Sequence, residues 1–216
     1  MSLNLAYVRR KSSILDAPPP LLVLLHGLGS NEQDLISLAP YLDKRFLIVS
    51  LRAPIVLQAG AYSWFNIEFT PKGNFIDMDQ AENSRLALLS FLDQLGNQEV
   101  YDPKQVYLMG FSQGAIMSLS VALSTPEICT GVIAMSGRLL DSIADKLAEA
   151  EALKKLHFLV VHGRGDQVLP IECGRGIKTY LSTLPVSLTY REYNMGHEVN
   201  AESLSDIAHW LKQRLD

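Results

Sequence analysis

The chain has 216 residues, of which 48% are apolar and 19% charged, a composition typical of a soluble globular protein and unlike that of a disordered chain. The formal net charge of −4 leaves no basic excess to neutralise phosphates, so nucleic-acid binding is not expected. Two cysteines are too few for a disulfide framework, and we expect a single domain over residues 1–216.

Short apolar runs alternate with amphipathic stretches along the chain. The apolar runs predict buried β-strands at 21–25, 46–51, 106–111, 131–135 and 158–161, and an alternating segment predicts a half-exposed edge strand at 187–193. Helical spacing predicts helices at 31–42, 79–95, 113–123, 171–184 and 201–215, with one or two helices in 140–156. Such alternation predicts an α/β fold with a mainly parallel sheet, helices on both faces, and ligands at the carboxyl ends of the strands.

Residues 54–78 interrupt this alternation, because they are rich in aromatic residues, glycine and proline. We expect a long irregular excursion over the surface. It forms either a pocket wall or lid, or an ordinary packed loop that covers the sheet.

A serine lies between a predicted strand and a predicted helix. Gly110-Phe111-Ser112-Gln113-Gly114 matches the pattern G-x-S-x-G, in which a sharp turn lifts the serine above the sheet. Glycine is needed on both sides because side chains there would crowd the neighbouring backbone. The start of the following helix also favours developing negative charge. Ser112 is therefore the predicted nucleophile, and an incidental serine in a glycine-rich turn is the alternative.

A serine hydroxyl needs an adjacent base, and the histidines that follow Ser112 are the candidates. His197 lies in a loop after the last predicted strand, from which its ring can reach the carboxyl edge of the sheet. His157 begins a strand, His162 ends one ahead of the best acid, and His209 lies in the last helix. His197 is the predicted base.

Asp166 is the predicted acid that orients the base. It follows the strand before the edge strand, and it lies between Ser112 and His197 in the chain order that accompanies this type of turn. Asp141 and Asp145 come too early, in a helical stretch. The alternative for Asp166 is a turn-forming or helix-capping aspartate.

Acyl transfer also needs donors for the oxyanion that develops on the substrate carbonyl. The amide of Gln113, directly after the nucleophile, is one predicted donor. The second is expected in His26-Gly27-Leu28-Gly29, after the first core strand, where we predict the Leu28 amide. The alternative is that His26-Gly27 merely ends a strand.

Five segments together resemble the phospholipase/carboxylesterase family of α/β-hydrolases, which includes acyl-protein thioesterases and small carboxylesterases. In the family's order they are LLHGLG, SWF at 63–65, GFSQGA, HGRGDQVLP and MGHEV, and the resemblance runs from about residue 20 to the end. It implies an α/β-hydrolase fold with a minimal cap. It also implies the site residues predicted above, namely Ser112, Asp166, His197, Leu28 and Gln113.

Three positions depart from the family's usual residues: Asn66 after the Trp-Phe pair, Ser30 after HGLG, and Ala115 after GFSQG. None of them belongs to the predicted triad. The region from about Trp64 to Phe75 is expected to line the acyl or alcohol pocket. The resemblance implies that Trp64 lies near the site, and Trp64 and Phe65 are the predicted pocket residues.

The predicted enzyme is a carboxylesterase that transfers the acyl group of a small-molecule or lipid ester to Ser112 and then to water, with no metal and no organic cofactor. An acyl-protein thioesterase or lysophospholipase on the same triad is the alternative, and a catalytically silent hydrolase-fold binding protein is a further one. A nucleotide-binding protein is not favoured, because neither G-x-G-x-x-G after the first strand nor a P-loop is present.

The expected location is the cytoplasm, without integral membrane association. Met1–Lys11 lacks an apolar stretch followed by a small-residue cleavage site, and the longest apolar runs are about a quarter of a membrane span. Because members of the resembled family often pair as dimers, a homodimer is a further expectation.

Overall fold

The computed structural model describes residues 4–70 and 73–216. Its strands are β1 Tyr7–Arg10, β2 Leu21–Leu25, β3 Leu47–Leu51, β4 Ile55–Gln58, β5 Ala61–Ser63, β6 Ile67–Thr70, β7 Gly73–Ile76, β8 Val106–Phe111, β9 Gly131–Met135, β10 His157–Gly163 and β11 Ser187–Tyr193. Its α-helices are α1 Gln33–Ile36, α2 Met78–Leu95, α3 Gln113–Ser124, α4 Ala150–Leu153, α5 Ile171–Leu181 and α6 Ala201–Lys212. Short 3₁₀ helices lie at Ala39–Tyr41, Pro126–Ile128 and Asp141–Lys146. None of the helices in these described ranges is both long and apolar enough to cross a membrane.

Within the described residues, seven strands form one sheet in the order β1-β3-β2-β8-β9-β10-β11. β1 pairs antiparallel with β3, and the other neighbouring strands pair in parallel. The prediction of a mainly parallel sheet is confirmed. Because the parallel strands share one direction, the loops that follow β2, β8, β10 and β11 open at the same edge of the sheet.

Both faces of this sheet are covered by helices, as predicted. Along β2, Leu21, Val23 and Leu25 belong to one apolar cluster, whereas Leu22 and Leu24 belong to the other. This alternation follows from strand geometry, in which successive side chains point to opposite faces. The first cluster includes residues of α2, α3 and α5, and the second includes residues of α1 and α6. Burial on both sides explains why the strands are apolar throughout.

The helix expected at 31–42 was a wrong prediction. The structure has the four-residue helix α1 and then the 3₁₀ helix Ala39–Tyr41. Pro40 explains the break, because proline lacks a backbone N–H and disfavours α-helical geometry at the residue before it.

The irregular excursion expected at 54–78 was also wrong, since this stretch forms two β-hairpins in the described part of the chain. β4 pairs antiparallel with β5, and β6 pairs antiparallel with β7. Gly60 adopts a φ of 79° between β4 and β5, a backbone conformation that glycine tolerates best. Residues 71 and 72 of the predicted excursion lie outside the described residues. Strands of three or four residues are too short to show a clear period in the sequence.

Other differences lie at element ends and at the N-terminal edge. β1 was not predicted, because its four residues are half polar and it forms by pairing with the edge of β3. The stretch 140–156 holds a 3₁₀ helix at Asp141–Lys146 and the single turn α4. Helices α5 and α6 end three residues earlier than expected, at Leu181 and Lys212.

The turn between β8 and α3 packs directly on the end of β2. A Cβ added at Gly114 would lie 1.9 Å from the carbonyl oxygen of Leu25, and one added at Gly110 would lie 2.2 Å from the backbone of Gly114. No side chain fits at either position without a backbone shift. The two glycines therefore allow the strand-to-helix turn to approach the neighbouring strand.

We expect Gly114→Ala to lower the free energy of unfolding by about 3 kcal/mol or more, because the new methyl group overlaps backbone that cannot move away cheaply. Gly176→Ala is the matched control, since Gly176 is exposed within α5 and a Cβ there meets no atom within 4 Å. That variant should gain about 0.5–1 kcal/mol from helix propensity. Urea unfolding followed by circular dichroism measures both changes, and equal effects of the two substitutions would contradict this account of the turn.

Candidate active site

Ser112 lies on the turn between β8 and α3, in a strained backbone conformation. Its φ of 53° and ψ of −116° lie outside the regions that non-glycine residues prefer. Two backbone hydrogen bonds stabilise this conformation. Ser112 N donates to Met135 O at 2.9 Å, and Ile116 N donates to Ser112 O at 3.1 Å. The side chain lines a cavity at the carboxyl edge of the sheet. Its hydroxyl forms no hydrogen bond within the described residues, so it is available to a group in that cavity.

His197 and Asp166 lie after the adjacent strands β11 and β10, and their side chains meet. His197 Nδ1 lies 2.7 Å from Asp166 Oδ2. Because an ionised carboxylate only accepts, Nδ1 carries the hydrogen and Nε2 keeps its lone pair. The imidazole ring also packs on Phe111, with 4.8 Å between ring centroids, and it lines the same cavity as Ser112.

The carboxylate of Asp166 is buried, and both of its oxygens accept hydrogen bonds. Its Oδ1 accepts from the amides of Val168 at 2.9 Å and Leu169 at 2.8 Å, so the aspartate also shapes its own loop. Burial alone would raise the pKa of the Asp166 carboxyl. The hydrogen bonds from His197 and from these amides outweigh burial and hold that pKa below its usual value. One oxygen of Asp166 therefore forms the turn, while the other contacts His197.

His162 is hydrogen-bonded to the same loop, at Leu169. It is fully buried, its Nε2 donates to Leu169 O at 2.7 Å, and Nε2 also lies 3.6 Å from Asp166 Oδ2. Gly174 of α5 gives the ring its space, because a Cβ there would lie 2.7 Å from His162 Nδ1. Sequence reasoning considered His162 only as a base, and its contacts indicate a positioning role instead.

The loop after β2 brings the Gly27–Leu28 peptide against the candidate nucleophile. A Cβ added at Gly27 would lie 3.3 Å from the Cβ of Ser112. The Leu28 amide has no acceptor within the described residues. The Gln113 amide is the first N–H of α3, and such amides have no acceptor inside their own helix. Both predicted oxyanion donors therefore have no acceptor within the described residues. The Gln113 amide directly follows Ser112 in the chain, and the Leu28 amide belongs to the peptide after Gly27, which packs against Ser112.

His26 orients this peptide. Its Nδ1 donates to Gly27 O at 2.7 Å, and its Nε2 accepts from Ala53 N at 3.0 Å. In a trans peptide the carbonyl and the N–H point in opposite directions, so holding the Gly27 carbonyl also aims the Leu28 amide. Burial lowers the pKa of His26 and keeps the ring neutral, as its acceptor role at Nε2 requires. His26-Gly27 therefore does more than end a strand.

The side chain of Gln113 joins the turn to the segment before β6. It is buried, and its Oε1 accepts from Trp64 N at 3.1 Å and from Ser63 Oγ at 3.2 Å. Its Nε2 donates to Phe65 O at 2.8 Å. Sequence reasoning assigned a role only to the Gln113 amide. No local pattern could reveal the side chain's partners, because they lie about 50 positions away in the sequence.

The cavity at this site has a volume of about 280 Å³. Its lining residues come from loops after several strands and from the second hairpin: Gly27, Leu28, Ser30, Asp34, Ile67, Ile76, Phe111, Ser112, Gln113, Ile116, Arg138, Val168, Leu169 and His197. In the described part of the chain, no cluster of three or more His, Cys, Asp or Glu side chains could hold a metal ion.

Trp64 and Phe65, which were expected at the substrate site, do not line this cavity. Both are fully buried, and neither is among the cavity-lining residues. Trp64 Nε1 donates to His26 O at 2.9 Å, so the indole ring is hydrogen-bonded to the backbone at the start of the loop after β2. The aromatic stretch contributes to the cavity wall instead through Ile67 and Ile76, whose hairpin could not be recognised in the sequence.

A model of the phospholipase/carboxylesterase family matches residues 12–215. The chain belongs to this family. A probable SOBER1-like carboxylesterase of Arabidopsis thaliana is 28% identical, over 88% of this chain and 77% of the plant protein. Acyl-protein thioesterase 1 of Saccharomyces cerevisiae is 28% identical, over 90% of this chain and 92% of the yeast protein. The crystal structure of esterase PE8 superimposes with a TM-score of 0.81 at 26% identity, over 97% of this chain and 98% of that one. The resemblance inferred from the motifs and the α/β-hydrolase fold are thus confirmed.

We expect Gln113→Met to lower the free energy of unfolding by at least about 2 kcal/mol, because it leaves buried polar groups of the 63–65 segment without partners while conserving volume. Gln33→Met, at an exposed position of α1, is the matched control and should change stability little. Urea unfolding of the two variants provides the comparison. A Gln113→Met variant as stable as the wild type would show that these hydrogen bonds do not hold the segment.

Proposed function

We propose that this chain is a carboxylesterase in which Ser112 is the nucleophile, His197 the general base and Asp166 the residue that orients His197. The 2.7 Å contact between His197 Nδ1 and Asp166 Oδ2, at the cavity that also holds Ser112, is the observation that carries this proposal. An ionised aspartate at Nδ1 leaves Nε2 as the proton acceptor. Membership of the phospholipase/carboxylesterase family supports the same reaction class.

In the first half of the reaction, Ser112 Oγ attacks the ester carbonyl carbon and gives its proton to His197 Nε2. The negative charge that develops on the carbonyl oxygen is stabilised by the amides of Leu28 and Gln113. Asp166 stabilises the imidazolium that forms on His197, without taking its proton. The C–O bond then breaks, and His197 returns the proton to the departing alcohol.

In the second half, a water molecule attacks the acyl-enzyme. His197 Nε2 takes a proton from this water, and the same two amides stabilise the second oxyanion. Collapse of this intermediate releases the carboxylic acid and returns the proton to Ser112 Oγ. The sum of the two halves is one ester and one water converted to an acid and an alcohol, so the chain's own residues suffice for the proton transfers.

The size of the cavity supports a small ester as substrate. Its volume of about 280 Å³ lies just below the range for small-molecule sites, which is roughly 300–1,000 Å³. Aliphatic side chains such as Ile67, Ile76 and Ile116 form much of the wall. We therefore propose short acyl esters ahead of long-chain lipids or palmitoyl thioesters. A cytoplasmic location and a homodimer stay predictions.

Ser112→Ala should reduce kcat by at least roughly a thousandfold, because the variant cannot form the acyl-enzyme. Hydrolysis of p-nitrophenyl esters from acetate to palmitate, beside a palmitoyl thioester, measures this loss and the chain-length preference together. Ser205→Ala, on the exposed face of α6, is the control for removing a serine hydroxyl.

The same assay separates the alternatives. A Ser112-dependent optimum at short chains supports the proposal, whereas an optimum at the palmitoyl thioester or at palmitate favours a thioesterase or lysophospholipase. Near-normal turnover by Ser112→Ala would refute the assigned nucleophile. No turnover of any ester, together with no labelling of Ser112 by a fluorophosphonate, would indicate a silent binding protein.

Asp166→Asn should reduce kcat by about 10⁴-fold, because an amide in place of the carboxylate no longer holds His197 in the tautomer with a free Nε2. Glu198→Gln is the matched control, since it neutralises an exposed carboxylate directly next to His197 in sequence. Steady-state kinetics on the preferred p-nitrophenyl ester tests both variants. Similar losses in the two would mean that general charge, rather than the specific contact, accounts for the role of Asp166.

A further inference from the structure

Arg138 is a half-buried cation in the cavity wall, on the loop that follows β9. It forms no hydrogen bond or ion pair within the described residues. Most other arginines have partners: carboxylates for Arg9, Arg45, Arg52, Arg85, Arg164 and Arg175, and main-chain carbonyls for Arg10 and Arg214. Arg191 also has no hydrogen bond or ion pair within the described residues, but its side chain is exposed to water on β11.

A half-buried guanidinium without a protein partner keeps its N–H donors free, so an anion that enters the cavity can accept hydrogen bonds from them. Asp166, on the loop after the neighbouring strand β10, does not pair with Arg138, because its oxygens accept from His197 and from two backbone amides. Aliphatic side chains of Ile116, Val168 and Leu169 line the same cavity. A guanidinium among apolar side chains is suited to fork-like binding of a carboxylate.

The second charged group of the cavity lies on the other side of the candidate nucleophile. Asp34 belongs to α1, after β2, and accepts a hydrogen bond from Ser30 Oγ at 2.7 Å. In the sheet, β8 with Ser112 at its end lies between β2 and β9. The carboxylate of Asp34 and the guanidinium of Arg138 therefore follow strands on opposite sides of the nucleophile. This arrangement favours an ester whose anionic end points toward Arg138 and away from Asp34.

We propose that Arg138 binds a carboxylate carried by the ester substrate, so that the enzyme prefers anionic half-esters to neutral esters of the same size. The carboxylate belongs either to the acyl half, as in a monoester of a dicarboxylic acid, or to the alcohol half. The inference rests on the proposed function, because it places the scissile bond at Ser112.

Two substrate pairs test the proposal and distinguish the halves. The acyl pair is mono-p-nitrophenyl adipate and p-nitrophenyl hexanoate, whose acyl chains have equal length. The alcohol pair is 4-acetoxybenzoate and its methyl ester. For each pair the ratio of kcat/KM, anionic over neutral, is measured for the wild type, Arg138→Gln, Arg138→Lys and Arg191→Gln.

In one of the two pairs, Arg138→Gln should lower this ratio by about ten- to a hundredfold, the loss expected for a hydrogen-bonded charge pair. Arg138→Lys should keep part of the preference, and Arg191→Gln, which removes the same charge outside the cavity, should keep all of it. Added NaCl should lower the wild-type ratio, since salt screens the attraction. This salt effect tests the proposal without any variant and so does not depend on how Arg138→Gln folds.

An unchanged ratio in Arg138→Gln for both pairs overturns the proposal, as does an equal fall in Arg191→Gln. These outcomes are distinct from a failure of the proposed function. Hydrolysis of the hexanoate ester that persists in Ser112→Ala refutes the nucleophile, whereas Ser112-dependent hydrolysis with an unchanged ratio refutes only the role of Arg138.

Discussion

The close packing of the β8–α3 turn on the end of β2 is the constraint on which the rest of the site depends. Gly110 and Gly114 have no room for a side chain, because backbone atoms of α3 and β2 lie where a Cβ would be. This contact leaves Ser112 in its strained conformation at the carboxyl edge of the sheet and brings Gly27 against it. The fold thus brings the Ser112 turn and the Gly27–Leu28 peptide, each with an amide that has no acceptor in the described residues, to the same edge of the sheet. Preorganised donors of this kind are the usual source of large rate enhancements in acyl transfer.

A second layer of buried polar contacts keeps this arrangement in place. His26, His162 and the side chain of Gln113 are each buried and hydrogen-bonded to the backbone of the loops around the cavity. None of them needs to touch substrate for the site to depend on them. A buried polar group left without its partner costs about 1–3 kcal/mol, so the contacts that orient the loops also stabilise the fold. Catalytic geometry and stability are therefore coupled in this part of the chain.

Two charged side chains at the cavity differ in their partners: Asp166 is hydrogen-bonded, whereas Arg138 has no partner within the described residues. Asp166 is buried but holds its charge, because three hydrogen bonds outweigh the cost of burial. Arg138 lines the same cavity without a partner in the described residues. In the proposed mechanism, Asp166 serves the chemistry that every ester would share. Arg138 is suited to discriminate among esters, since a fixed charge in an apolar wall favours one substrate charge over another.

The sequence by itself determined the main strands of the parallel sheet and the positions of the candidate triad. The apolar strands 106–111 and 131–135 and the edge strand 187–193 were predicted with the bounds that the structure has, because each is a complete period-two or fully buried run. The positions Ser112, Asp166 and His197 could be chosen because parallel strands bring their carboxyl ends to one edge. Chain order and strand direction were enough for that step.

Only the tertiary structure decided the contacts between segments far apart in the chain. β1 and the two hairpins are too short to show a period, and they exist because neighbouring strands supply their hydrogen bonds. The sequence motif singled out Trp64. It could not show that the Trp64 side chain donates a hydrogen bond to the His26 carbonyl instead of lining the cavity. Likewise, the isolation of Arg138 depends on which side chains surround it. A local pattern specifies which way a strand or helix faces, whereas the partner of a buried polar group is set by packing across the whole fold.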